Sequence, residues 1–179
     1  LPRLELMRTV LVAEVGEIRL SARDVDSLEP SDIVLLPDAN LKFYGSELSG
    51  EIIVRLGLWG ETCFRSDIIT EDRIKVILNS VCKNPRAHKQ GGEDNSAMTG
   101  DGDISERNDL SESGQYIQSV PVTLVVELGR RNLTIADVTR LRIGQIIDLQ
   151  RTPSEPVDLT IDGKMVGKGE LVDVDGELG

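Results

Sequence analysis

The chain has 179 residues, enough for one ordinary domain or two small ones. A formal net charge of -11 argues against nucleic acid or an anionic membrane surface as the main partner, and 3% aromatic residues leave no base-stacking platform. No apolar run is long enough to cross a bilayer and no signal-peptide pattern is visible, so no membrane insertion is expected. The chain opens on Leu1 rather than Met, which predicts a fragment of a longer protein.

From Met7 the pattern is extended, through MRTVLVAEVGEIRLSARDVDSLEPSDIVLL. The insertion from Pro37 to Ser49 holds Phe43 and Tyr44. Strand signals resume at Glu51–Leu56 and Glu61–Ile69, with Trp59 just before the second run. Thr70–Val81 reads either as one face of a helix or as a closing strand. Residues 84–118 are rich in glycine, serine and acids and poor in large apolar side chains, which predicts a disordered linker. An alternating strand then runs through Val120, Val122, Leu124, Val126 and Leu128. A short helical turn is expected within Thr134–Leu141, and extended runs at Gln145–Leu149 and Val157–Asp162. Asp162-Gly163 is a hairpin turn signal, because glycine accepts positive φ. A last strand is expected at Gly169–Val174, ending in Asp175-Gly176.

The two halves match without gaps. Leu11, Val12, Glu14, Gly16, Leu20, Asp24, Val25, Leu28, Ile33 and Leu36 fall on Leu124, Val125, Glu127, Gly129, Leu133, Asp137, Val138, Leu141, Ile146 and Leu149. These are about ten identities in about twenty-six positions, the mark of an internal repeat. The repeat decides the ambiguous Thr70–Val81 segment: Asp72-Arg73 falls on the Asp175-Gly176 turn, so Ile74–Leu78 becomes a closing strand. The second copy stops before its own closing strand, so the natural protein is expected to continue past Gly179 or to receive that strand from elsewhere.

The stretch from Val120 to Gly179 resembles a SpoA domain, the C-terminal module of flagellar switch proteins of the FliN and FliM type and of SctQ proteins of type III secretion. The entry VPVTLVVELGRRNLTIADV, the middle LRIGQIIDL and the exit VDLTIDGKMVGKGELVDVD carry the resemblance. It implies a mainly β fold: two SpoA-type modules, each with one short helical turn, paired as an intertwined pseudo-homodimer. The expected domains are a first module over 1–83, the linker over 84–118 and a second module over 119–179. A module of about sixty residues buries only about 60% of its unfolded surface and leaves strand edges open, so pairing is the expected remedy. Leu11, Val15, Leu124, Val126 and Leu128 are the expected interface row.

The resemblance implies a structural adaptor of an SctQ-type cytoplasmic sorting platform, at the inner-membrane base of a secretion apparatus. Its implied partners are the type III stator protein of the SctL or FliH kind and through it the export ATPase, an SctK-like platform protein, and additional copies of its own C-terminal SpoA domain. A flagellar motor switch protein is the alternative. Met98 is placed to serve as an internal translation start for a short C-terminal product, or is a plain surface methionine. Phe43, Tyr44 and Trp59 are candidates for partner contact, or fill the first module's core.

A third reading is a chemotaxis phosphatase of the CheC type. Asp67 and Glu71 have the first spacing of that motif, but the asparagine position holds Ile74, which cannot orient an attacking water. The single histidine, His88, lies in the linker and supports no Ser-His-Asp set, so no catalytic residue and no cofactor is expected. The Asp101, Asp103, Ser105 series resembles a calcium loop in part, but the sixth place is Glu106 instead of glycine, so no metal site is expected. Cys63 and Cys82 are expected as unpaired thiols of a cytosolic protein. The Asn132-Leu133-Thr134 sequon carries no meaning in that setting.

Overall fold

A computed structural model describes residues 6–44, 47–58, 60–83 and 119–179. The first repeat contributes β1 (Arg8–Ser21), α1 (Ala22–Asp26), β2 (Asn40–Tyr44), β3 (Glu47–Leu56), β4 (Thr62–Thr70) and β5 (Ile74–Lys83). The second contributes β6 (Pro121–Thr134), α2 (Ile135–Val138), β7 (Ile146–Asp148), β8 (Val157–Ile161), β9 (Lys164–Gly169), β10 (Asp173–Val174) and β11 (Glu177–Leu178). The fold is mainly β with one helical turn per repeat, as the sequence predicts.

The strands of the main sheet run β7-β5-β4-β3-β1-β6-β8-β9, with β2 paired to β3 off that path. Two features of this order intertwine the repeats. The long strands β1 and β6 pair antiparallel from Arg8↔Thr134 to Ser21↔Pro121. β7 leaves its own repeat and closes on β5 of the other, with Val76 opposite Ile147. Each repeat is therefore incomplete alone, because part of its backbone hydrogen bonding lies in the other.

Local chemistry explains the turns. Ser21 and Thr134, at matching repeat positions, each form a capping box with Asp24 and Asp137. Each pair satisfies two backbone donors at the start of a helical turn too short to persist by propensity. Asp162 and Gly163 both take positive φ, 50° and 73°, which a tight hairpin between right-twisted strands requires.

Several expectations need revision. Residues 169–174 are not one strand: β9 ends at Gly169 and β10 spans only Asp173–Val174. The Asp162-Gly163 turn sends the chain back at Lys164, so β9 starts earlier than the apolar pattern suggests. The Pro37–Ser49 insertion contains a strand, β2, which folds back on β3. Ile74–Leu78 lies in β5, as the repeat requires, but this strand extends to Lys83.

The core gathers Leu11, Ala13 and Val15 of β1 with Val126 and Leu128 of β6. Val54, Phe64, Val76 and Leu78 extend it across β3, β4 and β5, and Ile147, Leu149 and Val157 complete it from the second repeat. Contributions from both repeats make this one shared core, whose apolar burial stabilises by roughly 25 cal/mol per Å² removed from water.

Candidate inter-repeat seam and partner groove

The seam is built on β1 and β6. Leu11 and Leu124 are fully buried, and Val15, Val126 and Leu128 are buried beside them. Leu124 stands opposite Ile18 of β1 and Ile161 of β8, so it is covered from both repeats. The ladder is irregular on either side of Glu14, between Ala13 and Glu14 and again before Gly16. A bulge of this kind re-aims side chains locally.

At that irregularity Glu14 lies directly opposite Glu127, and both are buried. Two buried carboxylates at adjacent positions repel unless each is neutralised. Arg55 supplies the first counter-charge: its Nε donates to Glu14 Oε1 at 2.8 Å, and its Nη1 donates to the carbonyls of Gly57, at 3.0 Å, and Leu58. Arg130 supplies the second, donating from Nε to Glu127 Oε2 at 2.6 Å and from Nη2 to Oε1 at 2.9 Å. Thr160 also donates to Glu127 Oε1, at 2.6 Å. These bonds to Glu127 raise the Arg130 pKa above the usual guanidinium value.

The two ion pairs also tie the loops above them. Arg130 Nη2 donates to the Gly163 carbonyl at 2.9 Å. Leu58, whose carbonyl Arg55 holds, lies so close to Gly163 that an added Cβ there would meet Leu58 Cδ2 at 3.2 Å. The turn of one repeat thus rests on the loop of the other over a charge-neutral polar cluster.

Beside the seam lies a groove of about 330 Å³. Its apolar wall is Phe43, Leu48, Ile74, Leu128, Val157 and Leu171, drawn from both repeats. Thr70, Glu155 and Glu170 add polar and acidic atoms. Of the aromatic candidates, Phe43 packs against the core and lines this groove, whereas Tyr44 is 67% exposed. Trp59 and Met98 lie outside the described residues, as do the linker, His88 and the Asp101–Ser105 series. The groove could not be read from the sequence, because its walls meet only through the β2–β3 hairpin and the exchange of strands.

The remaining candidates fall elsewhere. Asp67 is on β4, Glu71 is in the following turn and Ile74 is the buried first residue of β5, so this spacing lies on a β-hairpin. Glu71 is bonded to Lys75, whose pKa it raises. Among the described residues, no three His, Cys, Asp or Glu side chains converge as a metal site. Cys63 and Cys82 are not unpaired: they are register partners on β4 and β5 and form a disulfide. Nothing in their spacing announces this, since it depends on the pairing of the two strands.

Comparison with known proteins places the second repeat. Residues 115–179 match the family model described as type III flagellar switch regulator (C-ring) FliN C-term. This stretch is similar to that family's domain, and the relatives it matches are named flagellar motor switch proteins. A flagellar motor switch protein FliN from Borreliella burgdorferi is 41% identical over 76 residues, 42% of this chain and 66% of the relative. FliN from Salmonella typhimurium is 36% identical over 80 residues, 45% of this chain and 56% of the relative. The flagellar motor switch phosphatase FliY of Bacillus subtilis is 35% identical over 60 residues, but they cover 34% of this chain and 16% of the relative. The chain spans only a little over half the length of the Salmonella relative.

Proposed function

We propose that the protein is a structural component of a switch-type C-ring and acts by recognition, without turnover. The observation that carries this reading is the family match of residues 115–179 joined to a first repeat that completes the same fold. Relatives named as flagellar motor switch proteins favour the flagellar ring as its setting. The domains are then a first module over 1–83, a linker over 84–118 and a second module over 119–179. Leu11, Val15, Leu124, Val126 and Leu128 hold the two modules together. The working location is the cytoplasmic base of the motor at the inner membrane.

The adaptor of a secretion sorting platform is the second reading, favoured by one feature: two intertwined modules in a single chain. Both readings share their chemistry. A stator protein of the FliH or SctL kind presents a segment to the apolar groove, and through it the export ATPase is held near the ring. A further platform protein of the SctK kind belongs to the secretion reading only. Extra copies of the second module, started at Met98, also belong to it.

Calorimetry tests the choice, with N-terminal peptides of the flagellar and secretion stator proteins from the same genome. Binding of the flagellar peptide alone supports the motor switch. Binding of the secretion peptide alone moves the protein to the sorting platform. A folded sample that binds neither peptide removes the stator-adaptor role. A phosphatase of the CheC type is disfavoured, because the Asp67–Ile74 segment forms a hairpin and Ile74 is buried.

A further inference from the structure

The loops that follow α1 and α2 share one shape and carry opposite charge. Both leave the helical turn alike: Leu28 N–H donates to the Val25 carbonyl at 3.3 Å, and Leu141 N–H to the Val138 carbonyl at 3.1 Å. Each then makes the same turn. Glu29 N–H donates to Asp32 Oδ2 at 2.9 Å, and Asp32 N–H donates to the Glu29 carbonyl at 3.1 Å. At the matching places Arg142 N–H donates to Gln145 Oε1 at 3.1 Å, and Gln145 N–H donates to the Arg142 carbonyl at 3.1 Å. Ser31 and Gly144, inside the two turns, hold φ of 84° and 82°.

Charge inverts on this common frame. Glu29 stands where Arg142 stands, Asp32 where Gln145 stands and Ser27 where Arg140 stands. Asp26, in the place of Thr139, adds a further acid to the first loop. All of these residues are exposed. Each loop also presents isoleucine to water: Ile33 is 59% exposed in the first, and Ile143 and Ile146 are 55% and 54% exposed in the second. Ile146 keeps that exposure although β7 is paired with β5, so the outward face at this position stays open when the strand edge is filled.

The pseudo-symmetry fixes where the loops lie. β1 and β6 are antiparallel, so Ser21, just before α1, lies beside Pro121, while Thr134, just before α2, lies beside Arg8 at the other end of the ladder. The two loops leave opposite ends and do not meet within one chain. An acid-rimmed apolar surface and a base-rimmed one are each the complement of the other on a second copy.

We propose that the protein associates head to tail with itself, the 26–33 loop of one copy docking on the 139–146 loop of the next. Charge selects the partner surface: two acidic loops repel, as do two basic ones, so the contact is heterologous. Ile33 against Ile143 and Ile146 forms its apolar centre, with the charges at the rim. A heterologous contact repeats from copy to copy, and it closes into a ring or runs on as a filament according to the rotation it sets.

Sedimentation velocity of the full chain, with no stator peptide present, tests this contact separately from stator binding. At low salt the average mass is expected to keep rising with concentration past that of a dimer. Association is expected to weaken at least tenfold at about 0.5 M salt, because exposed charges are screened. Glu29→Arg and Arg142→Glu should each weaken it at least tenfold, and the double variant, which restores opposite charges across the contact, should regain most of the loss. Arg142 Nη1 also donates to the Thr139 and Leu141 carbonyls, so Arg140→Glu is a second reversal on that loop that leaves those bonds in place, with the same loss expected. Unchanged thermal melts show that the variants are folded. A chain that stays monomeric at low salt, or a mass that stops at a dimer, overturns the proposal. So does association untouched by Glu29→Arg and Arg140→Glu, or a double variant as weak as either single one.

Discussion

Glu14 and Glu127 occupy the same place in the two repeats and face each other across the β1–β6 ladder, both buried. Each is neutralised by its own arginine, but the arginines come from different places. Arg55 reaches Glu14 from β3, whereas Arg130 reaches Glu127 from the same strand. The apolar seam is close to symmetric while its charged centre is not. A seam of two identical repeats offers little to distinguish one pairing from another, and this asymmetry supplies a distinction.

Breaking one ion pair should be costly. Arg55→Met removes the guanidinium that bonds the buried Glu14 beside Glu127. The expected loss is about 3–5 kcal/mol, because removing one partner of a buried ion pair costs more than the pair contributes. Replacing both partners together, Glu14→Leu with Arg55→Met, should recover most of that loss. Urea denaturation of the two variants checks the order. A double variant no more stable than the single one would mean that Arg55 acts mainly by holding the 57–58 carbonyls.

A charge in the apolar row should separate the repeats. Leu124 is fully buried between β1 and β8, so Leu124→Asp places a carboxylate in a position removed from water. Leu124→Ala, which removes only packing, should cost about 2–5 kcal/mol. The aspartate variant is expected to lose cooperative unfolding and to elute as an expanded or associated species. A folded, monodisperse Leu124→Asp would show that β1 and β6 do not depend on this contact.

The capping boxes give a pH dependence with a definite sign. The side-chain hydroxyls of Ser21 and Thr134, with their backbone N–H groups, lower the carboxyl pKa values of Asp24 and Asp137. A carboxylate whose native pKa is depressed adds stability above its unfolded value, near 3.9, and gives it up as pH falls through the native value. Asp137→Asn should therefore be less stable than the parent at neutral pH, and the gap should narrow below about pH 4. Thermal melts from pH 7 down to pH 3 measure this gap. A gap that stays constant with pH would assign the effect of the substitution to geometry alone.

The cysteine pair adds a constraint that strand pairing does not require. β4 and β5 are in register from Thr62↔Lys83 to Thr70↔Ile74, so the hairpin is specified without the bond. The disulfide spans a sequence separation of 19, for which loop-closure entropy predicts about 3 kcal/mol. Cys82→Ser should lower the melting temperature under oxidising conditions and change little in reductant. Equal melting of parent and variant in both conditions would show that the bond carries no stability.

An element of this fold is legible in the sequence when it is local or repeated. The long strands and the closing strand at Ile74 follow from alternation and the repeat, and one helical turn per repeat follows from the resemblance. The Asp162-Gly163 turn follows from glycine chemistry. Three features do not follow. β2 lies in an insertion with no counterpart in the second repeat, so the repeat gives it no support. The Cys63–Cys82 bond depends on register. The Glu14–Glu127 couple is visible as a matched pair, yet its meaning appears only once β1 and β6 are laid side by side and Arg55 arrives from β3.

The groove sets the chemistry of what can enter it. Phe43, Leu48, Leu128 and Leu171 give it an apolar wall, while Glu155 and Glu170 give it negative charge. A segment that enters it should bring an apolar side chain flanked by lysine or arginine. Leu171→Asp places a charge in the wall, while Glu170→Lys reverses a charge at its polar side. If the stator peptide binds here, Leu171→Asp should weaken binding by tenfold or more, the equivalent of about 1.4 kcal/mol. Glu170→Lys should weaken it less, and the loss should shrink as salt is raised, because screening acts on exposed charges. Calorimetry at low and high salt separates the two contributions. Full binding by both variants would place the stator contact elsewhere, with exposed Tyr44 on the same hairpin as the next position to substitute.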